Sequence, residues 1–230
     1  MAFSLDGVTR EDHDRWRGNG SFDRLVRAFA RCYMSNLPFG IKIVIRRDLV
    51  DQLEQIALFA ARMGAASLHF AHVMPTSSSV ADESALSLEE QRVVQEEIAI
   101  LRRIFKMNIG IEVGYYNIDE TRPPCAPLAA TSMNVDFRGR LSLCCNLSGF
   151  RGAAEELDVI ADLNVESFAT AYARFVKLAA EQLEKRKAAL AALRSQSLTP
   201  DLHTGSPCLF CLQSFGKIPW RQSQVGASHP

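Results

Sequence analysis

The sequence predicts an α/β protein in which half of a (β/α) barrel precedes a small cysteine-bearing module. Three observations carry this reading. Over the first 116 residues, short β-branched runs alternate with stretches of helical periodicity. Beyond residue 117 the alternation gives way to a hairpin pattern and one long helix. Five of the six cysteines fall after residue 124.

The elements follow in order. Residues 2–5, "AFSL", form a short apolar strand closed by Asp6-Gly7. From Ser21, the positions Phe22, Leu25, Val26, Phe29 and Tyr33 recur at helical spacing, and Pro38 and Gly40 end that helix. "IKIVI", 41–45, is a strand. Asp48 is expected to cap the next helix, whose stripe is Val50, Leu53, Ala57, Ala60 and Gly64. "SLHFAHV", 67–73, is a third strand. Ser87 and Glu90 make a capping box for a helix reaching Phe105, and "IGIEVGYY", 109–116, is a fourth strand.

Strands that alternate with helices imply parallel pairing with crossover helices. The first strand is apolar, and an uncovered apolar strand at a sheet edge is poorly paired. The expectation is therefore the second half of a barrel, completed by an amino-terminal half or by a partner chain. Further on, 134–137 and 141–145 pair across a turn at Arg138-Gly139. A long helix spans 165–194 with Phe168, Tyr172, Phe175, Leu178 and Ala179 as its buried stripe. "TPDLHTGSPCLFC" is read as a loop, and the last dozen residues as a flexible tail.

Composition bounds the function. The 26 basic and 26 acidic residues cancel, which argues against a nucleic-acid partner, because phosphate binding needs an excess of Lys and Arg. No apolar run reaches the ~18 residues of a membrane span, and "MAFSLDGVTR" lacks the basic and apolar regions of a signal peptide. A cytoplasmic location is the expectation. Thiols stay reduced there, so clustered cysteines suggest metal before disulfides. Cys32 stands apart, as a small buried hydrophobe on a helix.

The remaining cysteines read Cys125-x13-Gly139-x4-Cys144, then Cys208-x2-Cys211 after a gap of 63 residues. A Cys-x2-Cys pair turns two sulfurs the same way, and a second pair completes a tetrathiolate. Gly139 suits the turn because a positive φ costs it little. Cys145 follows Cys144 directly; neighbours on a strand face opposite sides, so Cys145 is an alternative ligand to Cys144. Four thiolates serve a structural zinc or an iron–sulfur cluster equally well.

The stretch "SLDGVTREDHDRWRGNGSFDRLVRAF" resembles radical S-adenosylmethionine enzymes from their fourth barrel strand onward. It carries Ser4-x-Asp6-Gly7, His13-Asp14, Arg17-Gly18 and Gly20-Ser21-Phe22. The likeness continues through 41–73. The cysteine spacing resembles the auxiliary-cluster module called SPASM, or its shorter form, the twitch domain. Asn164, Ser167 and Phe168 fit the same module's helix start. The resemblance implies one auxiliary 4Fe–4S cluster on Cys125, Cys144, Cys208 and Cys211, with zinc as the alternative. It implies that Ser4 and Arg24 contact S-adenosylmethionine once the missing barrel half is supplied. It also implies a parent activity of radical-based modification of a peptide or small molecule. Two departures stand out: this sequence has no Cys-x3-Cys-x2-Cys triad, and no cysteine follows Cys211. The chain alone is therefore expected to be inactive, and a non-catalytic metal-binding protein or partner subunit is the competing reading. Domain bounds are expected at 1–118 for the half barrel, 119–217 for the cluster module and 218–230 for the tail.

Overall fold

A computed structural model of the chain describes residues 1–74, 84–148 and 158–218. The chain divides into two compact units, one of Met1–Val73 with Asp82–Tyr115, the other of Met74–Ala81 with Tyr116–Pro230. Residues 219–230 of the expected tail lie outside the described residues.

The first unit is an α/β fold with a parallel sheet. Strands β1 (Ala2–Leu5), β2 (Gly40–Ile45), β3 (Ser67–His72) and β4 (Asn108–Val113) lie side by side in chain order, every pairing parallel. Helices α1 (Arg10–Arg17) and α2 (Ser21–Met34) link β1 to β2, α3 (Leu53–Arg62) links β2 to β3, and α4 (Leu88–Ile104) precedes β4. One sheet face is apolar: Leu5, Ile41, Ile43, Ile45, Leu68, Phe70 and Ile109 are all buried. Phe3, Phe29 and Phe39 pack as an aromatic trio with ring centroids 5.0–5.8 Å apart.

The other face is polar. Ser4, Lys42, His69 and Gly110 stand in one row across the four strands. Lys42 Nζ lies 2.6 Å and His69 Nδ1 3.3 Å from the Glu112 carboxylate. His69 and His72, three residues apart, face opposite sides as strand geometry requires.

The loop after β1 is a hydrogen-bonded frame. Thr9 caps α1 by accepting from the Asp12 N–H. Asp14 accepts from the N–H groups of Gly20 at 2.7 Å and Phe22 at 2.8 Å, so it caps α2 from outside the helix. Buried His13 accepts from the Asp6 N–H through Nδ1 and meets Ser21 Oγ through Nε2. Arg17 and Arg46 both engage the Asp6 carboxylate. A Cβ at Gly7 would fall 2.3 Å from Asp12 Cβ, so only glycine fits there.

Two expectations in this unit need correction. Helix α1 went unforeseen, because only His13 among its residues is buried and an apolar stripe is the sign that sequence offers. Asp48 does not cap α3. A 3-10 turn, Arg47–Gln52, comes first, and Asp48 instead pairs with Arg46. The capping box of Ser87 and Glu90 is present, with both of its hydrogen bonds.

In the second unit, β5 (Asn134–Val135), β6 (Arg140–Ser142) and β7 (Val159–Asp162) form an antiparallel sheet. The turn between β5 and β6 closes on Asp136, whose carboxylate accepts from the N–H groups of Arg138 and Arg140. Gly139 sits there at φ +79°. β7 was not expected, since four residues give too short a pattern to read. Helix α5 (Phe168–Ser195) begins at Ser167, whose hydroxyl accepts from the Thr170 N–H. Its buried stripe differs from expectation: Ala171, Phe175, Ala179, Gln182, Arg186 and Leu190 face inward, whereas Phe168 and Tyr172 are exposed and stack on each other. The segment read as a loop at 199–211 is largely helical. Asp201 caps α6 (Leu202–Gly205), and Pro207 opens α7 (Pro207–Ser214) from its first position.

His72 supplies a test of the first unit. It is buried, neither ring nitrogen has a hydrogen-bond partner among the described residues, and burial lowers its pKa from 6.5 to about 4. The unfolded chain takes up a proton near pH 6.5 that the native state refuses until about pH 4. Stability is therefore intact above pH 6.5 and falls as pH drops through that window, by about 1.4 kcal/mol per pH unit. Urea unfolding at pH 7.5 and pH 5 should show a smaller loss for His72→Leu than for the wild type. Equal losses would refute the assignment.

Candidate metal centre

Three chain segments carry the four candidate ligands. Cys125 opens a helical turn in which its carbonyl accepts from the Ala129 N–H. That turn ends in paired bonds, Thr131 N–H to Ala126 O and Ala130 N–H to Pro127 O, with Ala130 at φ +55° in the left-handed region. Cys144 follows β6 and starts the next turn, its carbonyl accepting from Leu147 and Ser148. Cys208 and Cys211 lie on α7, three residues apart and therefore on one helix face.

All four cysteines line one narrow cavity of about 30 Å³. Its other walls are mostly apolar: Leu128, Leu143, Leu147, Pro207 and Leu212 contribute. Cys145 is exposed, and it is Cys144 that lines the cavity. Among the described residues, no three His, Cys, Asp or Glu side chains are gathered as one metal ion requires. The sulfurs instead stand around a shared space.

The electrostatics are those of thiols in a dry pocket. Burial raises the Cys125 thiol, pushes Cys144 up to about 12 and lifts Cys211 well above its ordinary value. The sulfurs also repel one another as thiolates: Cys211 feels Cys144, Cys125 and Cys208. Opposing groups are built in. The backbone N–H of Leu128 near Cys125, and those of Leu147 and Asn146 near Cys144, favour the thiolate. The donor set is of the kind an iron–sulfur cluster takes: four cysteines round one cavity, with backbone N–H groups that favour the thiolate at two of them. The same residues offer a tetrathiolate to zinc only if they close in further.

The cysteine-bearing segments are tied to each other. Asn117 N–H donates to Gly205 O at 3.0 Å, and Tyr116 Oη donates to Pro200 O at 3.0 Å. The Arg186 guanidinium, buried under α5, donates to the carbonyls of Asn117 and Gly205. Sequence reasoning missed Arg186. The signal was its register with Phe175, Ala179 and Gln182, which marks an inward position even for a charged side chain.

Ser4 and Arg24 are not brought together. Ser4 is exposed on the polar face of β1. Arg24 lines a groove beside Phe3, which belongs to the opposite face, along with Arg27 and Arg31.

No family model matches the chain. The mycofactocin maturase MftC of Mycolicibacterium smegmatis is 40% identical over 97 residues, which cover 40% of this chain and 24% of the relative. The AdoMet-dependent heme synthase of Oleidesulfovibrio alaskensis is 24% identical over 153 residues, 65% of this chain and 39% of the relative. The crystal structure of Streptococcus suis SuiB superposes with a TM-score of 0.54 at 11% identity, covering 74% of this chain and 42% of that one. SuiB bound to S-adenosylmethionine gives 0.55.

Over these stretches the chain is similar to proteins of the radical S-adenosylmethionine class. The matched stretches span about a quarter to two fifths of these proteins' lengths. The likeness to SuiB is one of fold. Among the described residues no helix is long and apolar enough to cross a membrane.

The close approach of Gly205 to Tyr116 generates a prediction. A Cβ on Gly205 would lie 1.9 Å from Tyr116 Cε2, and the Tyr116 ring is buried with its hydroxyl engaged. Gly205→Ala should destabilise the second unit by about 1–3 kcal/mol through overpacking, read as a lower urea midpoint with Tyr116→Phe as a milder control. An unchanged midpoint would show that the ring yields freely.

Proposed function

We propose that this chain is the carboxyl-terminal portion of a radical S-adenosylmethionine/SPASM-type protein, and that its second unit holds one auxiliary 4Fe–4S cluster. Cys125, Cys144, Cys208 and Cys211 are its ligands. The observation that supports this most is the meeting of four thiols from three distant segments at one cavity. The first unit is read as the second half of a (β/α) barrel that an amino-terminal half or a partner chain completes. Its polar sheet face, where Ser4 is exposed, is then the barrel interior and Ser4 a candidate contact for S-adenosylmethionine, whereas Arg24 lines the groove beside Phe3 on the opposite side. The parent activity on this reading is radical-based modification of a peptide or small molecule. The chain carries no Cys-x3-Cys-x2-Cys triad, so radical generation is assigned to the rest of the assembly.

When bound, such a cluster supplies a site for one-electron transfer or for anchoring a substrate. The chain's own residues prepare for it. The N–H groups of Leu128, Asn146 and Leu147 favour anionic sulfur. The leucine and proline walls keep water away, and the fold of α7 holds Cys208 and Cys211 on one face.

The test is anaerobic reconstitution with iron and sulfide. The wild type should turn brown and hold about four irons per chain, and Cys208→Ser or Cys211→Ser should lose most of that iron. A colourless protein with one tightly held zinc would overturn the cluster assignment and favour a structural metal site.

A further inference from the structure

Among the described residues, β1 pairs with β2 alone, so it is an edge of the parallel sheet. The Gly40 N–H donates to Met1 O at 2.8 Å. Backbone groups alternate in direction along a parallel strand. Those of Phe3 and Leu5 therefore turn to β2, and those of Ala2 and Ser4 point to the open side. Beside this edge runs a groove of about 560 Å³. Met1, Phe3 and Leu37 line it, together with Arg24, Arg27 and Arg31 of α2. Met1 is 75% and Leu37 52% exposed, so apolar surface lies uncovered there. The three arginines recur at spacings of three and four residues, which places them on one helix face, where like charges repel. Helix α2 has one acidic residue, Asp23, and it pairs with Arg10. Among the described residues none of the three arginines has a salt-bridge partner.

We propose that a partner polypeptide covers this edge with a strand laid beside β1 and a helix packed along α2, and that this helix carries carboxylates spaced to meet Arg24, Arg27 and Arg31. The proposal rests on the reading of the first unit as half a barrel, and it adds the chemistry of the surface that completes it. Charge decides the occupant. A second copy joined edge to edge would bring the same arginines into one seam. A small anion would answer the guanidinium groups, yet leave Met1 and Leu37 in water and the edge unpaired. A strand with an acid-bearing amphipathic helix answers all three needs. Its backbone pairs with Ala2 and Ser4, its apolar residues cover Met1, Phe3 and Leu37, and its carboxylates meet arginine in charge-assisted hydrogen bonds.

The test uses the full chain and two labelled synthetic helices of about 18 residues, long enough to be helical. Both carry a leucine row; one flanks it with glutamates at three- and four-residue spacing, the other with lysines. Fluorescence anisotropy should show saturable binding of the glutamate peptide, weakening as salt rises, and none of the lysine peptide. Arg27→Glu/Arg31→Glu should bind the glutamate peptide about tenfold less tightly. It should also gain the lysine peptide, a change that loss of fold would not produce. Arg103→Glu, on α4, should bind as the wild type does. Should the double variant fail to fold, Arg31→Gln decides: weaker binding of the glutamate peptide supports the proposal, and unchanged binding overturns it. A wild type that binds neither peptide, or both equally, also overturns it. Sedimentation with phosphatidylserine–phosphatidylcholine vesicles is the competing arm. Vesicle binding without peptide binding assigns the groove to a lipid surface and overturns the proposal. Amide exchange in the free chain separates this from the barrel reading: the Ser4 N–H should exchange fast and the Leu5 N–H slowly. With Ser4 fast, failed peptide binding removes the acidic helix alone. A Ser4 N–H as slow as that of Leu5 means a closed edge, and the half-barrel reading falls together with the proposal.

Discussion

A guanidinium under the long helix is the constraint on which the second unit depends. Removing a charge from water costs several kcal/mol even after the protein relaxes, so Arg186 is tolerated only where its donors are met. Its Nη2 donates to the carbonyls of both Asn117 and Gly205, and this fixes both segments against α5. The Asn117 N–H returns a bond to Gly205 O, and the Tyr116 ring lies where any side chain at 205 would go. From this junction the chain runs in one direction to the turn of Cys125 and in the other to α7. The positions of three thiols follow from a contact that contains no sulfur.

The first unit obeys a different constraint. Parallel sheets are ordinarily covered on both faces and read as unbroken apolar runs. Here the strands alternate, with isoleucines toward the helices and Ser4, Lys42, His69 and Glu112 on the other side. Lys42 and Glu112 reach across β3 to each other, which neutralises the row without making it apolar. The loop after β1 is polar too, but for structural reasons. Asp14, His13 and Asp6 spend their hydrogen-bonding capacity on backbone N–H groups and on Arg17 and Arg46. The motif residues through which the chain resembles radical S-adenosylmethionine enzymes thus act, in this unit, as a frame that holds the start of α2.

Sequence alone gave access to most of this where the pattern was long or chemically specific. β2, β3 and α4 were legible because branched runs and a capping box leave few alternatives. The cysteine spacing was legible as a set, and the structure puts those four side chains around one cavity. What escaped was governed by contacts distant in sequence. α1 carries almost no buried stripe, since its role is to present His13 and Asp14 to the neighbouring loop. The stripe of α5 was shifted because Phe168 and Tyr172 are aromatic yet exposed, while Gln182 and Arg186 are polar yet buried. No local rule distinguishes those cases; only the carbonyls waiting at 117 and 205 do. The Cys208–Cys211 segment passed for a loop because Thr199 to Gly205 is rich in turn formers, although Asp201 and Pro207 are both sound helix starters.

The thiols show how these constraints meet. Desolvation acts most strongly on Cys125, Cys144 and Cys211, and it exceeds what the backbone N–H groups and Arg186 supply in the other direction. Each sulfur therefore holds its proton against a set of donors arranged for a negative charge. The balance reverses only when a positive group enters the cavity, since metal binding releases the thiol protons and replaces mutual repulsion by attraction to a shared centre. Protein elements that must pack tightly to keep Arg186 satisfied are the same ones that bring the sulfurs together. On the proposed cluster reading, the folding of the second unit and the binding of a cationic core are two expressions of one arrangement, linked through the segments at 116–125 and 200–211.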